Sequence, residues 1–83
     1  MEKYKKLIRD ILSGQKDKNI KFNDLRTLIL KLGFEERIKG DHFIYKRKDI
    51  PERINIQPDG SMAKAYQVRQ IRNLILKYKL GVE

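Results

Sequence analysis

The spacing of apolar residues in the first half of the chain predicts two helices. The pattern i, i+3, i+4, i+7, i+8 predicts an amphipathic helix over residues 3–13, with Gly14 as its stop. Its apolar positions are Tyr4, Leu7, Ile8, Ile11 and Leu12. A polar connection follows over residues 15–21, and a second helix is predicted over 22–32 and ends at Gly33. The apolar stripe of that helix is Phe22, Leu25, Leu28, Ile29 and Leu32.

The hydrophobic period then changes to two, which predicts strands. We expect strands over residues 34–39, 42–48 and 53–57. The pair at 40–41 is Gly-Asp, which is typical of a type II′ hairpin turn with glycine first. A second turn is predicted over 48–51, where a proline ends the segment. The three strands therefore predict an antiparallel meander.

Alternation along these strands predicts which side chains share a face. In the second strand, Phe43 and Tyr45 fall on one face. The other face of that strand receives His42, Ile44 and Lys46. In the third strand, the inward residues are Ile54 and Ile56, and the outward ones are Arg53, Asn55 and Gln57.

A final helix is predicted over residues 65–79, after the turn-forming segment 58–61. Its inner stripe is Val68, Ile71, Leu74, Ile75 and Tyr78. Arg69 and Arg72 are three residues apart and are predicted to share its outer face. The order α-α-β-β-β-α predicts an α+β fold, with a three-stranded antiparallel sheet packed against helices.

Composition narrows the classes of function. The 83 residues fit a single domain with a small core. Lys and Arg number 20 against 11 Asp and Glu, giving a net charge of +9 and a pI near 9.9. This excess favours an anionic partner, namely nucleic acid, an anionic membrane surface or an acidic protein, over a basic surface that binds nothing.

Two absences in the sequence exclude further classes of protein. Without cysteine the chain has no disulfides and no thiolate metal sites. No apolar run approaches the roughly 20 residues that span a bilayer. The first helix is short for a membrane anchor, and we expect its apolar stripe to pack against the domain. We therefore expect a cytoplasmic protein that does not act at a membrane.

From residue 22 to residue 80 the chain resembles the HicA family of toxins, small ribonucleases of bacterial and archaeal toxin–antitoxin pairs. The motifs that carry the resemblance are Leu-Gly-Phe at 32–34, Lys-Gly-Asp-His at 39–42, Tyr45, Ile-Asn-Ile at 54–56 and Gln-Val-Arg-Gln-Ile-Arg at 67–72. Residues 1–83 form one HicA-like domain in this interpretation. Residues 1–20 look like the N-terminal helical extension of a longer subgroup, and residues 21–80 form the core domain.

The resemblance implies both a fold and an activity. The fold is similar to the double-stranded-RNA-binding domain. The implied substrate is mRNA, cut without a metal or a small-molecule cofactor, and the implied partner is a HicB-type antitoxin that masks the site. The family usually has Gly-Ser-His-His at the turn, and His42 occupies the place of the first, catalytic histidine. Asp41 replaces the small hydroxyl residue, and Phe43 replaces the second histidine.

Histidine suits ribonuclease chemistry because it exchanges a proton near neutral pH. We predict His42 as the catalytic residue. The RNA contacts predicted near the hairpin turn are Lys39, Gly40, Asp41 and Lys46, and those predicted farther along the chain are Lys64, Arg69 and Arg72. No metal site is predicted, since one histidine and scattered carboxylates lack ligand spacing.

Other functions remain open at the level of sequence. A non-catalytic RNA-binding module of the same fold is one, because the carboxylate of Asp41 would repel RNA phosphate beside His42. A basic domain that docks an acidic protein is another. A DNA-binding helix-turn-helix is disfavoured, since strands separate the second and third predicted helices.

Overall fold

Three helices and three strands follow one another in the predicted order. The computed structural model describes residues 2–81, with side chains for residues 4–81. The elements are α1 (Glu2–Ser13), α2 (Phe22–Lys31), β1 (Glu35–Lys39), β2 (His42–Arg47), β3 (Ile50–Ile56) and α3 (Ala65–Tyr78). The prediction of an α+β domain with a three-stranded antiparallel sheet is confirmed.

The sheet is a meander with β2 in its centre. Lys39 pairs with His42 across the first hairpin, so its turn consists of Gly40 and Asp41 alone. Gly40 has a φ of +62°, whereas Asp41 is not among the residues with positive φ. This combination is the one that a type II′ turn requires, and it explains why glycine comes first in the pair.

The third strand begins earlier than the sequence predicts. It starts at Ile50, which pairs with Arg47, and so Pro51 lies inside β3 and not in the preceding turn. A proline lacks the N–H that a central strand needs, but it is tolerated at the edge of a sheet. β3 is such an edge strand. The turn between β2 and β3 therefore shrinks to Lys48 and Asp49.

The hydrophobic core lies between the helices and one face of the sheet. Tyr45 and Ile54 are 0% and 1% exposed, and Phe43 packs edge-on against Phe22 with ring centroids 5.0 Å apart. The predicted inward faces of β2 and β3 are thus confirmed. Within the N-terminal segment, the part from residue 4 to residue 20 also supplies core residues, namely Leu7, Ile11 and Ile20. It is therefore part of the packing of this domain.

A partly buried carboxylate joins α2 to the sheet. Glu36 receives two hydrogen bonds from the Arg26 guanidinium, at 2.7 and 2.9 Å, and one from the Tyr45 hydroxyl at 2.7 Å. The Arg26 guanidinium also lies 5.1 Å from the centre of the Phe43 ring. The Arg26 hydrogen bonds lower the pKa of Glu36, and burial is the main cause that raises the pKa of Tyr45. These contacts fix β1 and β2 above α2.

Arg72 joins α3 to the N-terminal segment. Its guanidinium donates to both carboxylate oxygens of Asp17, at 2.9 and 3.2 Å, and to the Ile11 carbonyl at 3.1 Å. The Arg72 and Asp17 side chains are only 18% and 15% exposed. The prediction that Arg72 shares an open outer face with Arg69 is therefore wrong, because a long-range ion pair turns Arg72 toward α1.

Candidate nucleic-acid interface

The face of the sheet that the helices do not cover carries most of the predicted site. Strand register places Lys39 opposite His42, Arg37 opposite Ile44, and Ile44 opposite Asn55. We term this surface the open face. Its residues are Glu35, Arg37, Lys39, His42, Ile44, Lys46, Arg53, Asn55 and the adjoining Gln57.

His42 is held on the open face by two side-chain amides. Its Nδ1 lies 3.3 Å from Asn55 Oδ1, and its Nε2 lies 3.3 Å from Gln57 Nε2. The amide oxygen of Asn55 can only accept, so Nδ1 carries the hydrogen, and the amide nitrogen of Gln57 can only donate, so Nε2 accepts. The two contacts select the neutral tautomer that is protonated at Nδ1. The imidazole remains 49% exposed.

Asp41 completes a small polar cluster at the hairpin turn. Its carboxylate accepts a hydrogen bond from Gln57 at 3.4 Å, and it lies 3.8 Å from His42 Nε2. The side chain of Asp41 is 72% exposed. When Nε2 gains a proton, the resulting imidazolium has a carboxylate beside it. A proton on Nε2 would also end the hydrogen bond that Gln57 donates to this nitrogen.

The open face is rich in cations that have no acidic partner. Within residues 4–81, neither Arg37, Lys39, Lys46 nor Arg53 forms an ion pair. Glu35 is the carboxylate that shares this face with them. An anion that approaches these four residues thus meets cations that form no direct ion pair with a carboxylate.

The structure brings only some of the predicted residues close to His42. Lys39, Gly40 and Asp41 surround it at the hairpin turn. Lys46 lies on the same face at the far end of β2, about 13 Å away at the usual rise of a strand. A Cβ added at Gly40 would meet no other atom within 4 Å, so the backbone there is open to the approach of a ligand.

The remaining predicted RNA contacts lie elsewhere. Arg69 lines a groove between α3 and the edge strand β3, next to Tyr66 and Asn73. In the same place the Gln70 side chain donates to the Arg53 carbonyl at 3.4 Å. Lys64 is the residue that precedes α3. As for Arg72, its guanidinium binds Asp17.

Sequence reasoning found only part of the open face. It left open whether Asn55 and Gln57 hydrogen-bond RNA or are plain polar residues of the edge strand, and it did not predict their contacts with His42. It assigned no role to Arg37 or Arg53. The alternation of residues along the strands nevertheless indicates that all four lie on the same face of the sheet. Residues two apart in a strand share a face, and a meander brings the outward residues of all three strands to the same side. What sequence alone did not supply was the register that sets Asn55 beside His42.

No cluster of three or more potential metal ligands occurs among residues 4–81. Within the part of the chain described here, no helix is long and apolar enough to cross a membrane. Comparisons of the chain with protein-family models, with curated proteins and with solved structures give no match. The likeness to HicA toxins thus stays a prediction from the sequence motifs.

Proposed function

We propose that this chain is a ribonuclease that cleaves mRNA with His42 as its proton-transfer group. One observation carries the proposal: the exposed imidazole of His42 is oriented by Asn55 on a face rich in unpaired cations. The likeness of the motifs to HicA toxins supports it. On the same basis we infer a fold similar to the double-stranded-RNA-binding domain and action in the cytoplasm, as the toxin of a toxin–antitoxin pair.

The geometry of His42 suits it to begin the reaction as a base. Because Asn55 holds the Nδ1 hydrogen, the free electron pair lies on Nε2. In the proposed reaction an RNA 2′-hydroxyl displaces the Gln57 amide and gives its proton to Nε2. Its oxygen attacks the adjacent phosphorus, and the bond from phosphorus to the 5′-oxygen breaks. The products are a 2′,3′-cyclic phosphate and a 5′-hydroxyl, whose proton comes from water or from the imidazolium.

Lys39 is suited to stabilise the charge that develops on the phosphate. It pairs with His42 across β1 and β2 and projects from the same face. A cation near the pentacoordinate phosphorus lowers the barrier by electrostatic attraction. With a single histidine at the site, we expect a slow enzyme, and slow cleavage is sufficient for a toxin.

The test compares wild type with His42→Ala on RNA that contains a reactive 2′-hydroxyl. Removing a proton-transfer group should reduce cleavage by about 10²–10⁴-fold. An RNA of the same sequence with 2′-O-methyl groups should resist both proteins, since the nucleophile is blocked. His42 is exposed, so the melting temperature of the variant should stay close to that of wild type. Equal cleavage by wild type and variant would refute the proposal.

A second function is favoured by the surroundings of His42 Nε2. Gln57 already donates to this nitrogen, and the Asp41 carboxylate lies 3.8 Å from it. A phosphate must approach against that negative charge. If wild type binds RNA and leaves it intact, the chain is a non-catalytic RNA-binding module of the same fold. Asp41→Ser would then show whether the carboxylate is the cause of inactivity.

We further propose that an antitoxin of the HicB type binds the open face and masks His42. The unpaired cations of this face complement an acidic partner. Co-expression with the product of the adjacent reading frame tests the idea. The expected result is a stable complex in which RNA cleavage is suppressed, and a complex that still cleaves RNA would exclude masking of His42.

A further inference from the structure

We propose that Arg37, Lys46 and Arg53 form a second phosphate-binding site, which holds an RNA strand at a distance from His42. We term these three residues the cation cluster. The inference rests on the proposed function, which it extends from the place of cleavage to the way in which the substrate is held.

The cation cluster surrounds a depression on the open face. Its three side chains line that depression together with Ile44 and Glu35, toward the end of β2 that lies away from the first hairpin turn. Each comes from a different strand: Arg37 from β1, Lys46 from β2 and Arg53 from β3. Lys46 and Arg53 also line a neighbouring depression that reaches the second hairpin turn. Cations from three strands thus lie together in one area of the surface.

These cations are available to a ligand. Within residues 4–81 none of the three forms an ion pair, whereas Arg26, Arg47 and Arg72 each bind a carboxylate. The nearest acid on the open face is Glu35, which lies opposite Lys46 in the register. Glu36, which also borders the depression, is occupied by Arg26 and Tyr45. The cluster therefore carries an excess of positive charge toward solvent.

The position of the cluster predicts how much RNA the protein contacts. Arg37 pairs with Ile44, two residues from His42, and Lys46 follows His42 by four residues, so the cluster lies about 7–13 Å from His42 along β2. At about 3.4 Å of rise per stacked nucleotide, these distances correspond to roughly two to four nucleotides. A strand of RNA that lies along β2 can therefore place one phosphate at His42 and a more distant one at the cation cluster. An RNA that ends beside the cleavage site cannot do both.

The chemistry of the cluster favours nucleic acid over a protein carboxylate surface. Two of its three members are arginines, whose planar groups bind phosphate or carboxylate through two hydrogen bonds but also stack on bases, which only a nucleic acid offers. The cluster is continuous with the His42 site through Ile44 and Asn55, which pair across β2 and β3. A nucleic acid strand can lie along this continuous exposed surface, and we therefore infer that RNA is the ligand of the cation cluster.

The test uses the double variant Arg37→Gln/Arg53→Gln, with Lys5→Gln/Arg9→Gln as its matched control. Both variants lose two positive charges at exposed positions, but the control residues lie on α1, on the helical side. Cleavage is measured on an RNA of about 12 nucleotides, a length in the range of single-strand binding sites, and on a dinucleotide. For the longer RNA we expect KM to rise about tenfold in the cluster variant with kcat unchanged. For the dinucleotide we expect both constants to stay at the wild-type values.

Binding of the same longer RNA, followed by fluorescence anisotropy at several salt concentrations, gives an independent result. The dependence of log affinity on log salt should weaken by about 0.7 for each cation lost from a single-strand contact. The anisotropy measurement also tests the phosphate site if neither wild type nor the variants cleave RNA. That result would refute the ribonuclease proposal and leave the proposal of a phosphate site to be decided by binding alone.

Three outcomes would overturn the inference. One is wild-type affinity for RNA in the cluster variant. Another is an equal loss in the cluster variant and in the α1 control, which would mean that only total charge matters. The third is loss of binding to polyglutamate without loss of RNA binding, which would assign the cluster to an acidic protein.

Discussion

The Tyr45 hydroxyl donates a hydrogen bond of 2.7 Å to Glu36 Oε2, directly beneath the strand pair whose other face carries His42. Register places these two residues opposite each other in β2 and β1. The same carboxylate accepts both hydrogen bonds from Arg26. The candidate site is thus supported from below by an ionic contact and not by apolar packing alone.

Acid should weaken this support. The pKa of Glu36 is lowered from its ordinary value of 4.5, chiefly by the Arg26 hydrogen bonds, so ionised Glu36 favours the folded state. That contribution is complete above about pH 4.5 and is lost as the pH falls toward the lowered value. Glu36→Gln should reduce the free energy of unfolding by about 1–2 kcal/mol at pH 7, and by progressively less below pH 4.5.

Urea denaturation across this pH range measures the effect of Glu36. Glu35→Gln is the matched control, since Glu35 is adjacent in sequence but exposed on the open face. The control should differ from wild type by no more than about 0.5 kcal/mol at any pH. A Glu36→Gln deficit that stays constant into acid would show that charge plays no part in the contact.

Replacement by methionine should destabilise the protein much more at Arg72 than at Arg69. Arg72→Met leaves the largely buried Asp17 carboxylate without its partner and should lower the free energy of unfolding by about 2 kcal/mol. Arg69→Met removes an exposed cation and should change it by less than about 0.5 kcal/mol. Thermal or urea unfolding of the two variants checks this. Similar losses in both would contradict the structural role of Arg72.

Asn55 and Gln57 should together control the tautomer of His42. In wild type the neutral imidazole should carry its hydrogen on Nδ1, because Asn55 Oδ1 accepts it and Gln57 donates to Nε2. Asn55→Ala/Gln57→Ala removes both contacts and should shift the population toward the Nε2–H form, while Asn73→Ala on the surface of α3 should leave it unchanged. Nitrogen-15 chemical shifts of the imidazole, recorded at alkaline pH, report the tautomer directly. An Nδ1–H form that persists in the double variant would exclude this role.

The fold follows from local patterns more completely than the site does. Helical and strand periodicity locate the elements, and the Gly40–Asp41 pair locates the first hairpin, because these signals lie within short windows of sequence. The start of β3 is different. Whether Pro51 ends a strand depends on whether that strand lies at an edge, which is a property of the assembled sheet.

The site depends on contacts between residues far apart in sequence. His42 is recognisable from its motif, but Asn55 and Gln57 meet it from positions 13 and 15 residues away. The pairing of Arg72 with Asp17 spans 55 residues, and no periodicity within α3 reveals it. Charge patterns along a helix indicate which residues can be exposed, and tertiary ion pairs then decide which of them remain so.

Pro51 and Gln70 together affect whether the edge of the sheet can pair with a strand of another molecule at high protein concentration. The exposed edge of a sheet ordinarily has a row of unpaired N–H and C=O groups with which a strand of another molecule can form hydrogen bonds. Along β3, Pro51 has no N–H to offer, and the Arg53 carbonyl is already bonded to the Gln70 side chain. A neighbouring molecule therefore finds an interrupted ladder at this edge. The meander therefore resists edge-to-edge addition of strands at β3, and the open face beside this edge stays accessible to a ligand.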